Sequence, residues 1–317
     1  MKWPKPLSKL SKGFTLGEGR RSASWLVLGT AQLGMAYGIA NRSGKPDSKT
    51  ALSIVQTAFE GGVVEFDTAQ AYGESEKVLG EVLYRLAIAG KVRIISKLNP
   101  TLNHLNKELL SLNLEQSLSR LKIATLHCLM LHREEFIDLL DSGLRDILLG
   151  FVRDGRVKHI GVSLYSTEKA IRALNTDIID IVQVPANIID RRFNNAGVFD
   201  LARQRNKKVY VRSVFLQGLL LMDTEDLPAG MDYVKPMIGA FNRLGEEVNM
   251  TKQEMALGYV KSKFPDASIV FGAETSEQVR ANLSSWATEP SPAFLTRAGE
   301  EFEDTDEHII DPTLWPG

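Results

Sequence analysis

Eight short apolar runs alternate along this chain with longer stretches of helical spacing, and that alternation leaves few folds open. The runs are Trp25–Gly29, Val63–Asp67, Val92–Ser96, Thr125–Leu131, Ile160–Ser163, Ile178–Val184, Lys208–Phe215 and Ser268–Phe271. Helical patterns fall between them at Lys49–Glu60, Ser75–Ala89, Leu109–Leu121, Glu134–Val152, Thr167–Leu174 (with Thr167 as N-cap), Val198–Arg205, Met237–Val248 and Lys252–Lys263. Ser276–Trp286 closes the series. Strands alternating with helices pair in parallel and are buried on both faces, which is why they read as continuous apolar runs. Eight units suit a closed α/β barrel, the (β/α)8 TIM barrel, better than an open doubly wound sheet. No G-x-G-x-x-G follows the first run, so the phosphate-binding fingerprint of the open-sheet alternative is absent. Without a long linker or repeat, the expectation is one domain over residues 1–317. Residues 1–22 read as a basic leader or surface hairpin, and 290–317 as a Pro-rich, acidic tail.

Bulk chemistry narrows the function classes. The 317 residues carry a formal net charge of −1 with no long block of like charge, which argues against a nucleic-acid or anionic-membrane partner. No stretch reaches the roughly 18 apolar residues of a membrane-spanning helix. Cys128 is the only cysteine, so no intrachain disulfide forms; a reducing, cytoplasmic setting is expected. No H-x-H or carboxylate cluster at the strand ends has metal-site spacing.

In a barrel of this kind, polar residues at the C-terminal ends of the strands face the active site. Strand two ends in Asp67 with Tyr72 five residues on, strand three in Lys97, and strand four in His132. Ser163 ends strand five, strand six runs into Gln183 and Asn187, and Arg212 and Ser213 lie on strand seven. Each has a plainer reading alone: a turn or cap for Asp67, a loop anchor for Tyr72, a solvated strand end for Lys97, helix capping for His132. Four ionisable groups of four kinds on one rim are harder to explain that way. Together they suit carbonyl reduction, which needs a proton donor for the oxygen as hydride reaches the carbon. A free Tyr titrates near about 10, and an ammonium beside it favours the phenolate and draws that value down. Asp67 would hold Lys97 charged, His132 would orient the carbonyl, and Tyr72 would be the general acid.

The segment Asp67-Thr68-Ala69-Gln70-Ala71-Tyr72-Gly73-Glu74-Ser75-Glu76 resembles the D-T-A-x-x-Y-G-x-S-E signature of the aldo-keto reductase superfamily. Ser96-Lys97, Leu131-His132, Gly161-Val162-Ser163, Gln183, Gln217-Gly218-Leu219-Leu220 and Gly272-Ala273 with Gln278 and Asn282 follow in the family's order, from Gly29 to Asn282. The resemblance implies Asp67, Tyr72, Lys97 and His132 as the catalytic set. It also implies a nicotinamide cofactor lying across the barrel mouth, NADP(H) by family habit with NAD(H) as the alternative. Its carboxamide would meet Ser163 and Gln183, and its ribose and pyrophosphate Ser213, Phe215, Gln217 and Gly218. Gly272, Gln278 and Asn282 would surround the adenosine, and Gly29 and Thr30 would also approach the cofactor.

Three positions depart from the family pattern. Leu164 stands where many members have Asn, Arg212 where an aromatic usually stacks on the nicotinamide, and Glu274 where a basic residue often holds the 2′-phosphate of NADP, with Arg280 as a possible substitute. Arg212 would bias binding toward the reduced cofactor, reach an anionic substrate group, or pair with a neighbouring carboxylate. The partner is a small carbonyl compound; Asn41, Arg42, Arg191 and Arg192 hint at a polar or anionic one, such as a sugar derivative. The tail beyond Pro290 would cover the pocket or mediate self-association. A cofactor-binding regulatory subunit of the same fold, with little turnover, is the alternative, and a different barrel enzyme a third; the complete set of four argues against both.

Overall fold

A computed structural model describes residues 23–316; the leader or hairpin expected over 1–22 lies outside the described residues. Eight parallel strands close into a barrel in chain order, β1 (Leu26–Gly29), β2 (Glu65–Asp67), β3 (Arg93–Lys97), β4 (Leu126–Leu131), β5 (Val157–Ser163), β6 (Ile181–Pro185), β7 (Lys208–Arg212) and β8 (Ser268–Phe271). β1 pairs with both β2 and β8, which completes the closure. Helices separate the strands as expected, with Ser48–Glu60, Ser75–Leu86, Lys107–Leu121 and Ser276–Ala287 among the longest. No helix among the described residues is long and apolar enough to cross a membrane.

Some boundaries differ from the sequence expectation for local reasons. The single helix expected over Glu134–Val152 is a 3-10 segment, Glu134–Ser142, followed by an α-helix, Leu144–Arg153. Gly143 breaks it at φ 113°, a left-handed conformation that glycine adopts without steric cost. Ser166, not Thr167, caps the helix Thr167–Leu174 by accepting from the Lys169 amide. β7 stops at Arg212 because Ser213 turns the chain at φ 60°. The tail is not extended: Pro292–Glu301 is a helix capped by Ser291.

Strand alternation divides the apolar residues into two cores. Side chains of one parity, including Leu26, Leu28, Phe66, Ile94, Leu129, Leu131, Val182, Val184, Ile269 and Phe271, pack outward under the helices. The other parity fills the barrel with Val27, Ile95, Cys128, Met130, Ile181, Tyr210 and Val270. With a period of two, the inward parity on β2 holds Glu65 and Asp67, on β3 Ile95 and Lys97, and on β7 Tyr210 and Arg212. The fold thus places Asp67, Lys97 and Arg212 one layer above the apolar plug. The strand register agrees, setting Gly29 beside Asp67, Ser163 beside Gln183, and Pro185 beside Arg212.

Below the plug, the buried Glu65 carboxylate accepts from the Tyr210 hydroxyl at 2.8 Å and from Arg93 Nε and Nη2, each at 2.7 Å. Removing the phenol leaves a buried acceptor short of a partner. Tyr210→Phe should therefore lose about 1–3 kcal/mol of stability, read by urea denaturation. Because the Tyr210 hydroxyl bonds Glu65 and neither Asp67 nor Lys97, turnover of the folded variant should stay unchanged.

Candidate active site

At the upper end of the plug, Lys97 Nζ donates to both Asp67 oxygens, at 2.7 and 2.6 Å, and to the Thr68 carbonyl at 3.2 Å. The two side chains are 1% and 5% exposed, so this is a salt bridge out of water. Burial by itself would discharge Lys97, but the Asp67 charge, Tyr72 and the Asp67 hydrogen bond outweigh it and hold the ammonium above the ordinary lysine range. Gln183 Nε2 donates to Asp67 Oδ1 at 3.1 Å, further satisfying the carboxylate.

Tyr72 lies over this pair, with Lys97 Nζ 5.0 Å from its ring centroid. His132 packs edge-on against Tyr72 at 5.6 Å between centroids. Lys97 draws the phenol's value down as expected, but burial outweighs that pull. Burial raises the Tyr72 pKa, and Lys97 only opposes the rise, so the hydroxyl keeps its proton at neutral pH. His132 goes the other way: burial first, then the charges of Lys97, Arg212 and Arg133, lower it to about 3. It is a neutral imidazole in this site, and its buried Nδ1 has no hydrogen-bond partner among the described residues.

The loop that presents Tyr72 is fixed by its signature neighbours. Ser75 Oγ donates to the Thr30 carbonyl at 2.7 Å and accepts from Thr68 Oγ1 at 2.9 Å. Glu76, buried on the helix Ser75–Leu86, accepts from Ser96 at 2.6 Å and from Ser117 and Arg120, both at 3.1 Å, tying that helix to β3 and to the helix Lys107–Leu121. Gln70 reaches Ser117 at 2.9 Å and accepts from the Asn99 amide at 2.8 Å. On the opposite side, a Cβ on Gly34 would sit 1.9 Å from the Tyr72 carbonyl oxygen, so only glycine permits that approach.

From Tyr72 a cleft of about 510 Å³ runs across the barrel mouth. Among the residues singled out from sequence it is lined by Gly29, Thr30, Asp67, Tyr72, Gln183, Arg212, Ser213, Phe215, Gln217, Gly218, Gly272, Gln278 and Asn282. Lys97, His132 and Ser163 do not line it; Lys97 and Ser163 are buried at its base, and His132 stands against Tyr72. Thr30 Oγ1 is already engaged with the Asp67 carbonyl at 2.9 Å, and Gln278 Oε1 with the Glu274 amide at 2.7 Å. Ser213, Leu216, Gln217 and Gly218 all have φ between 47° and 95°, an unusual concentration of left-handed residues in one cleft wall. The loop Leu33–Asn41, expected from sequence to shape the substrate pocket, contributes Tyr37, Gly38 and Ala40, whereas Gln253 and Glu277, which also line the cleft, were not singled out. Gln253 comes from the start of a distant helix and carried no signal.

The charged candidates resolve individually. Arg212 makes no ion pair among the described residues: Nη1 donates to Ser213 Oγ and Nη2 to the Leu164 carbonyl, each at 3.2 Å, while its guanidinium lies 4.4 Å from the Tyr165 ring centroid. Glu274 faces the far end of the cleft and accepts from Ser43 at 3.3 Å; burial raises its pKa. Arg280 turns onto Glu277 and Ser276 instead of lining the cleft. Asn41 is bonded within its own loop to Gly44, and Arg42 reaches across to the distant Asp226 carbonyl. Arg191 holds the Gly299 carbonyl at 2.9 Å, and Arg192 pairs with Asp190 at 2.9 Å. None of these four, and no residue of the tail, lines the cleft.

The aldo/keto reductase family model matches residues 25–298. An aldo-keto reductase of Bacillus subtilis (YhdN) is 25% identical over 211 residues, 62% of this chain and 60% of that protein. The NADH-specific methylglyoxal reductase of Escherichia coli is 24% identical over 92% of this chain and 98% of its own length. Among solved structures, the holo form of aldo-keto reductase AKR11C1 from Bacillus halodurans superposes with a TM-score of 0.71 at 21% identity, covering 90% of this chain and 95% of that one. A barrel with this topology and a family match across most of its length define the class. The chain belongs to the aldo/keto reductase family.

The histidine shift has a measurable consequence. His132 titrates at about 3 when folded and at 6.5 in the ordinary state. Between these values the unfolded chain binds a proton that the folded chain does not, so stability falls as pH drops from about 6.5 toward 3. NMR of the folded protein should show the His132 ring untitrated from pH 8 to 5, and His132→Gln should shallow the acid-side loss of stability. A His132 midpoint above pH 6 would contradict this.

Proposed function

We propose that the protein reduces an aldehyde or ketone to an alcohol, with Tyr72 as general acid and a nicotinamide cofactor held in the cleft. The supporting observation is the buried Lys97–Asp67 pair directly beside a protonated Tyr72 and a neutral His132. Two buried, unpartnered polar atoms, His132 Nδ1 and Arg212 Nε, suit a site built around a polar ligand. Ser213, Phe215, Gln217 and Gly218 would hold the ribose and pyrophosphate, and Gly272, Gln278 and Asn282 the adenosine. Ser163 and Gln183 would meet the carboxamide, with Gln183 sharing its amide with Asp67. When bound, the cofactor supplies hydride to the carbonyl carbon.

The protein's own groups handle the proton. Tyr72 gives its hydroxyl hydrogen to the carbonyl oxygen, and the adjacent ammonium stabilises the phenolate left behind. Asp67 keeps Lys97 charged while out of water. Neutral His132 offers a ring N–H to the substrate oxygen without competing for the proton.

Family habit favours NADP(H), but the charges along the cleft favour NAD(H). Glu274 and Glu277 line its far end; Arg280 is held by Glu277, which leaves Glu274 as the carboxylate there without an ion pair among the described residues. A carboxylate can accept from a ribose 2′-hydroxyl and repels a 2′-phosphate. One experiment covers both parts: fluorescence titration with NADH and NADPH, then cofactor consumption with an aldehyde panel. The expected outcome is at least tenfold tighter NADH binding, narrowed by Glu274→Lys, and turnover reduced about 10²–10⁴-fold in Tyr72→Phe. Tight cofactor binding with no turnover of any carbonyl would favour the regulatory-subunit alternative.

A further inference from the structure

The geometry points to Arg212 as an anion-recognition point beside Tyr72, so that the carbonyl substrate carries a carboxylate or phosphate close to its reacting carbon. This rests on the carbonyl-reduction reading and names the substrate class for it. Arg212 ends β7 with inward parity and lines the cleft together with Tyr72, Asp67 and Gln183. Three cationic or acidic side chains thus meet at this end of the cleft. Lys97 and Asp67 neutralise one another, and Arg212 remains the charge without a counterion among the described residues.

A guanidinium has five N–H donors. Here one Nη donor goes to the Ser213 hydroxyl and another to the Leu164 carbonyl, both neutral acceptors. Nε is buried and has no partner. Leaving a buried donor unmade is costly, and a cation more so. A planar fork with open donors matches the paired oxygens of a carboxylate or phosphate. The side chain is also held in place, with its guanidinium against the Tyr165 ring. Tyr37, Tyr72 and Arg212 line the same cleft, so the acid and the cation face one shared space. A substrate with its carbonyl oxygen at Tyr72 therefore meets Arg212 with a neighbouring group.

Calorimetry on the cofactor-loaded protein tests this without requiring turnover, comparing glycerate, glycerol 3-phosphate and neutral glycerol. At least one anion should bind tenfold or more tighter than glycerol, the two anionic arms showing whether carboxylate or phosphate is preferred. Arg212→Gln should abolish that preference, and Arg212→Lys, which keeps the charge and loses the fork, should retain part of it; thermal melts confirm that both variants fold. Equal binding of all three ligands, or a preference that survives Arg212→Gln, overturns the proposal. A parallel cofactor titration guards against the other use of the same cation: lost cofactor affinity with the anion preference intact would assign Arg212 to the cofactor. Anion binding with no carbonyl turnover would instead sink the reductase reading and leave the anion site standing.

Discussion

The Lys97–Asp67 ion pair is the constraint around which this barrel is arranged. Two charges lie almost wholly out of water, 2.6 Å apart, on adjacent strands. A buried pair of this kind is weak as a source of stability, because desolvation offsets most of the attraction. Its retention is better explained by what it does to its surroundings. It keeps an ammonium charged against Tyr72, helps to keep His132 neutral, and occupies one donor of Gln183. Remove either partner, and an uncompensated charge remains in the barrel mouth.

Much of the chain near this pair acts as its support. Within the ten-residue signature, Asp67 and Tyr72 face the site, while Thr68, Gln70, Ser75 and Glu76 are spent on hydrogen bonds to β1, β3 and the helix Lys107–Leu121. The close approach at Gly34 serves the same end. A motif that looks catalytic throughout is thus mostly a clamp that determines where one phenol stands. The cleft wall from Ser213 to Gly218 holds backbone in sparsely populated conformations, which the packed strands beneath it make tolerable.

The fold was legible because its two signals are long-range and redundant. Eight apolar runs became eight strands in chain order, and their C-terminal ends carry Asp67, Lys97 and Arg212, the polar residues singled out there from sequence. What escaped depended on single local choices. Gly143 splits a helix whose apolar spacing continues through the break. The Pro-rich tail folds because Ser291 caps a helix and Arg191 binds its last carbonyls, a contact between residues more than a hundred positions apart. Arg191 and Arg192 look like ligands in sequence and are structural in space. The direction of the Tyr72 shift was also out of reach, since it depends on how deeply the ring is buried against how near Lys97 comes. Gln253 reaches the cleft from the first turn of a helix far along the chain, a placement that composition does not encode.

The Lys97–Asp67 pair is kept for chemistry and not for stability. A double-mutant cycle of Asp67→Asn and Lys97→Met, read by both denaturation and single-turnover hydride transfer, tests this directly. Each single variant should lose about 3–5 kcal/mol. The double variant should lose far less than the sum, while hydride transfer fails in all three. Additive losses of stability, with transfer close to the wild-type rate in any of the three, would contradict it.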